Sequence, residues 1–214
     1  MTVSLVSHRP PQRSTGPARG ESRGESHGQG GAVARPPAAA ASAPLQLLAR
    51  PEGLLQVHTA PFRGSVAAVF SQALRSAGLG SRVLVSQFLQ GGVEQGVAGS
   101  LQLCGRLQWL RPAMPLCIEE PFASAADPQL AVAARDAVTE VWLYSRQRLL
   151  EGSVDLMVLD ELGLAVELGY LPGAEVIATL ERRPPHLDVI VTGPAMPAAL
   201  MAMADQVTQL RRCS

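Results

Sequence analysis

Two short stretches of this 214-residue chain carry the residue types that phosphate chemistry uses. The first is the apolar run Val154–Leu159, closed by Asp160 and Glu161. A carboxylate pair at the end of a buried strand can hold the water shell of magnesium and position a base. The second is the segment from His58 to Val69, where a short apolar run turns into a helical pattern. A turn that cradles phosphate sets glycines where backbone N–H groups must approach the oxygens, then a lysine, then a hydroxyl for the metal. The frame is present here and its contents differ. Gly64 is the one glycine of the turn, Pro61 has no N–H, and Phe62 is bulky where backbone should meet ligand. Ser65 stands at the lysine position and Val66 at the hydroxyl position.

Composition narrows the chemistry further. All 18 basic residues are arginine, so Schiff-base chemistry and a lysine on phosphate are both excluded. The formal net charge is zero and gives no bulk attraction to nucleic acid or membrane, neither of which is expected as a partner. Residues 1–50 hold six arginines against two glutamates, while the remainder holds 12 arginines against 16 acidic residues, so the part expected to fold is mildly acidic. Cys104, Cys117 and Cys213 are an odd number without paired spacing. They suit a reducing, cytoplasmic compartment, and Cys104 and Cys117 read as apolar fillers. No run is long and apolar enough to span a membrane.

The elements that must position these residues follow from periodicity. Residues 1–50, poor in apolar side chains and rich in Gly, Pro, Ala and Arg from 8 to 44, are expected to form a disordered tail, because they cannot bury enough apolar surface to offset chain entropy. Residues 51–214 are expected to form the domain. Strands are predicted at Leu54–Thr59, Arg82–Phe88, Ser100–Cys104, Val154–Leu159, Leu187–Val191 and Gln206–Leu210. Helices are predicted at Ser65–Ala77, Leu130–Leu150, Gly173–Leu180 and Met196–Met203. Gly105–Asp127, rich in proline, reads as an irregular excursion. Continuous apolar strands separated by helices imply an α/β fold, a parallel sheet with helices on both faces, in which ligands bind beyond the carboxyl ends of the strands. Trp109 and Trp142 read as packing anchors, and His58 as structural.

With both halves of the site in view, the chain from about Leu54 to Leu210 resembles the P-loop type of ATP:corrinoid adenosyltransferase. Thr59 to Ala68 stands at the family's T-G-x-G-K-G-K-T-T-A loop. Leu74 to Gly80 and then RVLVSQFLQGG at Arg82–Gly92 resemble its R-A-x-G-x-G and V-x-x-x-Q-F-x-K-G passage. VDLMVLDELGLAVELGYL at Val154–Leu171 is similar to its acidic strand and the following turn. RRPPHLDVIVTGP at Arg182–Pro194 and ADQVTQL at Ala204–Leu210 resemble its R-P-x-x-x-x-V-x-x-T-G-R and A-D-x-V-T-E-M segments. The resemblance implies a P-loop NTPase-like three-layer sandwich. It also implies transfer of the adenosyl group of ATP to the cobalt of a reduced corrinoid, with magnesium and a phosphate cradle stabilising the departing triphosphate.

Carried over by position, Thr59 opens the loop. The family's glycines fall on Ala60, Phe62 and Gly64, its first lysine on Arg63, its essential lysine on Ser65 and its magnesium hydroxyl on Val66. Asp160 and Glu161 match the acidic pair, with Asp160 as the magnesium ligand, and Gln87 and Thr208 match the family's own Gln and Thr. The arginine after the T-G of the fifth strand is Pro194, and the final glutamate is Gln209. These departures favour a divergent pseudoenzyme that keeps the fold as a binding or scaffold module. The alternative is a functional or weakly active ATP:cob(I)alamin adenosyltransferase. Corrinoid, a second copy of the chain, and a protein reached through the tail or the vestigial site are the candidate partners. ATP and magnesium are implied by the resemblance alone.

Overall fold

The computed structural model describes residues 2–7, 52–64, 67–93 and 95–211. Among them an eight-stranded sheet runs through the middle of the domain. Its strands are β1 (Thr2–Ser7), β2 (Leu55–Thr59), β3 (Val83–Gln87), β4 (Leu101–Leu103), β5 (Leu107–Leu110), β6 (Leu156–Asp160), β7 (Asp188–Gly193) and β8 (Gln206–Arg211), in the order β1-β8-β2-β7-β6-β3-β5-β4. From β8 to β5 every pairing is parallel, while β1 on β8 and β4 on β5 are antiparallel edges.

The central strands are buried on both faces, which is why their sequences read as unbroken apolar runs. Alternate residues then serve different layers. Val83, Val85, Leu156, Val158 and Ile190 pack under Val69, Ala73 and Ala77 of helix α1 (Ala67–Gly78). Leu84, Met157, Leu159, Val189 and Val191 point the other way, into the larger core. Helices α2 (Pro128–Glu151), α3 (Leu162–Glu167), α4 (Gly173–Glu181) and α5 (Ala198–Met203) all contribute to that second cluster. Helix, sheet and helix make the three-layer α/β sandwich expected from the sequence.

The longest helix is well delimited. The Asp127 carboxylate accepts from the backbone N–H groups of Gln129 and Leu130 at 2.9 and 3.1 Å, Pro128 follows at the first helical position, and Gly152 closes the helix in the left-handed conformation at φ 60°. Trp142 lies in its buried face, tilted against Phe88 with ring centroids 6.3 Å apart.

The structure departs from the sequence reading in four places. Thr2–Ser7, assigned above to the tail, pairs with β8; the remainder of the expected tail, residues 8–50, lies outside the described residues. Leu107–Leu110, inside the expected irregular excursion, is a strand of the parallel sheet beside β3. Its four residues follow β4 through a tight turn at Cys104 and Gly105, both at positive φ, too short a span to show periodicity. Leu162–Glu167 is a helix of under two turns in a segment read as a turn. Cys104 and Cys117, expected as apolar fillers, are exposed.

Leu159 is fully buried between the sheet and the larger helical layer. Its truncation, Leu159→Ala, is expected to lower stability by about 2–5 kcal/mol, read from urea unfolding followed by circular dichroism.

Candidate functional site

At the carboxyl ends of five adjacent strands, strand register places Thr208, His58, Thr192, Asp160 and Gln87 side by side in one row. Gln87, Asp160 and Thr192 stand two residues beyond Val85, Val158 and Ile190 of the α1 face, so these three, and the row they belong to, face the same way. Three of the five were named from sequence. The spacing between neighbouring strands puts Thr208 about 14 Å from Asp160, three strands away. The structure therefore brings Gln87 to Asp160 and leaves Thr208 apart, buried beside His58.

Asp160 is buried, and both of its oxygens are engaged by the protein. Thr192 Oγ1 donates to Oδ1 at 2.6 Å and Gln87 Nε2 donates to Oδ2 at 2.7 Å. The Gln87 amide cannot turn over, because its Oε1 accepts from Trp109 Nε1 at 2.9 Å and Arg111 Nε at 2.7 Å. Burial pushes the Asp160 carboxyl above the ordinary aspartate range, against the opposing pull of these donors. Burial likewise lowers the His58 imidazole, whose Nε2 is enclosed without a hydrogen-bond partner among the described residues. Trp109, Arg111 and Thr192 are the members of this network that sequence reasoning left out of the site. The T-G ending of β7 was the available signal for Thr192, whereas Trp109 lies on the strand that was not recognised and Arg111 directly follows it.

The turn after β2 sends Arg63 back across the sheet edge. Its Nε and Nη2 donate to Oε1 and Oε2 of Glu161 at 2.6 and 2.7 Å, a two-pronged ion pair. Nη1 donates to the carbonyl of Ile118 at 2.9 Å and Nη2 to that of Leu89 at 3.3 Å. The guanidinium thus lies between the chain leaving β3, the chain leaving β6 and the segment crossing above them. The bond to Glu161 raises the Arg63 pKa above its already high value, so the charge is permanent. The Glu161 side chain is 2% exposed and that of Arg63 27%.

The backbone makes this pair possible. Glu161 sits at φ 61°, a left-handed conformation that costs a side-chain-bearing residue about 1–2 kcal/mol. Its N–H donates to the carbonyl of Thr192 at 2.8 Å. Gly193, at φ 147°, leaves room for the Glu161 backbone, which a Cβ there would meet at 3.3 Å. A Cβ at Gly91 would collide with the Leu116 carbonyl, so glycine lets the crossing segment settle close above the end of β3.

Among the remaining expected site residues, Ala60 is buried at the start of the turn, Thr59 is half-buried at the end of β2, and Phe62 is exposed. Gly64 takes φ 77° and has no neighbour near its missing Cβ. Ser65 and Val66 lie outside the described residues. Among the described residues no group of three or more His, Cys, Asp or Glu side chains is placed to hold a metal ion. Next to the Arg63 anchor, the crossing segment and the start of α2 enclose a cavity of about 300 Å³ lined by Met114, Leu116, Ile118, Leu130, Ala134 and Tyr170, among others.

A parallel sheet with helices on both faces, a strand-turn-helix at β2 and an acidic pair ending β6 define a protein of the nucleotide-binding P-loop class. Sequence comparison carries this further. The model of the family described as ATP:corrinoid adenosyltransferase BtuR/CobO/CobP matches residues 51–214, and the chain belongs to that family. It is 31% identical over 162 residues to a corrinoid adenosyltransferase of Escherichia coli K12, covering 74% of this chain and 76% of that one. Identity to corrinoid adenosyltransferase CobA of Salmonella typhimurium is 32% over 160 residues with the same coverage, and to the Pseudomonas aeruginosa enzyme 30% over 159 residues, 74% of each chain.

Replacing Asp160 by Asn is expected to be tolerated. The amide oxygen accepts from Gln87 and the amide nitrogen donates to the rotatable Thr192 hydroxyl, so both bonds survive without a buried charge. A carboxyl raised in the folded state stabilises fully below its unfolded value of about 3.9, and that contribution is lost as pH rises through the folded value. The stability difference between Asp160→Asn and wild type is therefore expected to move in favour of the variant as pH rises from about 4 to 7, with a net change at neutral pH within about 1 kcal/mol. Thermal unfolding of both proteins across that range checks it; a variant that loses ground with rising pH contradicts the assignment.

Proposed function

We propose that this member of the corrinoid adenosyltransferase family works as a binding or scaffold module and has lost ATP-driven adenosyl transfer. The observation that carries this reading is the engagement of Arg63, the one cation of the turn, by Glu161 and two carbonyls. In a working cradle the cationic side chain of the turn must be free to meet phosphate oxygens. Opening a buried ion pair so that one charge is left uncompensated costs about 3–5 kcal/mol. At about 1.4 kcal/mol per tenfold, that removes two to three powers of ten from any affinity the turn could reach. A micromolar nucleotide site becomes a millimolar one.

The sequence adds three further losses at the same place. No lysine exists to follow the triphosphate charge as it departs, Val66 offers no hydroxyl to magnesium, and Pro61 offers no N–H. Loss of one oriented transition-state contact costs about 3–4 kcal/mol. Several together put turnover beyond useful rates. With Asp160 held by Thr192 and Gln87, the acidic pair serves the protein's own cohesion, and neither ATP nor magnesium fits the residues present. The cavity beside Ile118, mostly apolar with Glu119, Glu120 and Asp127 in its lining, supports a retained binding role, with corrinoid as the ligand class the family name offers.

A slow ATP:corrinoid adenosyltransferase is the second reading. It is favoured by the survival of Gln87, Asp160, Glu161 and Thr208 together and by identity to three named adenosyltransferases.

Calorimetric titration with magnesium-ATP is expected to show no measurable binding to the wild-type protein, and micromolar affinity would overturn the proposal. Cobalamin added to the protein, followed by its visible spectrum, tests the binding role separately.

Glu161→Gln removes the charge that holds Arg63 while keeping the side-chain shape. It is expected to gain triphosphate affinity by at least about tenfold over wild type, measured by titration with inorganic tripolyphosphate. An unchanged affinity would show that Arg63 is not what closes the turn.

A further inference from the structure

Away from the nucleotide-facing edge, at the opposite, amino-terminal end of the parallel strands, a cleft of about 350 Å³ opens between the chain entering β3, the β4–β5 turn and the end of α2. Arg82, Arg106 and Arg148 line it with Gln102, Gln108 and Ser153, and no carboxylate is among its lining residues. That is a departure from the rest of residues 51–214, where acidic side chains outnumber arginines 16 to 12.

Two of the three guanidiniums are held in place from behind. Arg82 Nη2 and Nε donate to Asp155 at 2.7 and 3.3 Å. Arg148 lies 5.1 Å from the Tyr144 ring centre and donates to its hydroxyl at 3.1 Å, and that hydroxyl donates to Gln108 Oε1 at 2.7 Å. Glu151 approaches Arg148 only to 3.8 Å, with both side chains well exposed. The third, Arg106, is exposed on the β4–β5 turn, and no described residue pairs with its guanidinium. Counting Asp155 and Glu151 against the three arginines leaves a positive balance, with Arg106 wholly uncompensated.

We propose that this cleft binds a phosphoryl-type oxyanion, inorganic phosphate or the phosphate of a small ester. Guanidinium forks match tetrahedral oxyanions in two-pronged geometry, and restraint of Arg82 and Arg148 lowers the ordering entropy lost on binding. The exposed Gln102 amide lines the wall as well, whereas Ser153 Oγ already donates to the Arg148 carbonyl at 3.3 Å and Gln108 Nε2 to Ser100 Oγ at 2.8 Å. The site is independent of the turn after β2, and its test does not depend on whether nucleotide binds there.

The test is titration of the full chain with sodium phosphate at constant ionic strength, followed by NMR of the arginine Nε–H signals. Saturable shifts are expected at Arg106 and Arg148 and none at Arg63. The double variant Arg106→Gln/Arg148→Gln is expected to weaken binding by at least about tenfold while its melting temperature stays near wild type. If the double variant does not fold, Arg106→Gln alone serves, since that side chain supports nothing in the structure. No saturation by about 10 mM phosphate, equal shifts with chloride, shifts centred on Arg63, or unchanged binding by the variant would each overturn the proposal. A parallel titration with glycerol 3-phosphate distinguishes the sources. Tighter binding of the ester identifies an organic phosphate, and equal binding identifies phosphate itself.

Discussion

A guanidinium set against a buried carboxylate at the carboxyl edge of the sheet ties together three stretches of chain. Arg63 comes from the turn after β2, Glu161 from the end of β6, and the carbonyls of Leu89 and Ile118 from the exit of β3 and the crossing segment above it. Two of its four bonds are to a charge that is 2% exposed, so the geometry, once formed, is costly to open. The left-handed Glu161 and the glycines at 91 and 193 are the backbone conditions for this arrangement.

The polar row beside it obeys a related logic. Buried polar groups must be satisfied, and Asp160, Gln87 and Thr192 satisfy one another, with Trp109 and Arg111 completing the Gln87 amide. Residues of types that a nucleotide site would use for metal and water thus have a second occupation as an internal network. A buried carboxylate in a satisfied network is difficult to replace by a side chain that cannot keep both bonds, since each partner would then be stranded.

Domain architecture was largely legible because parallel strands buried on both faces leave unbroken apolar runs. Val83–Gln87, Leu156–Asp160 and Asp188–Gly193 announce themselves in this way, and the long α2 was expected within two residues of each of its ends. Two short elements were not legible. Leu107–Leu110 and Leu162–Glu167 are held by neighbours in space, and neither is long enough to show a period.

Residue types alone determined what this chain lacks: a lysine anywhere, a hydroxyl at Val66, and glycines at Ala60 and Phe62. They also determined its kinship, through segments whose order along the chain matches one family over residues 51–214. Only the tertiary structure decided what the surviving residues do with one another. Arg63 lies 98 positions from Glu161, and Gln87 lies 73 from Asp160, so no local pattern could pair them. Chain crossovers bring them within hydrogen-bond reach, and burial then turns two distant charges into one closed contact.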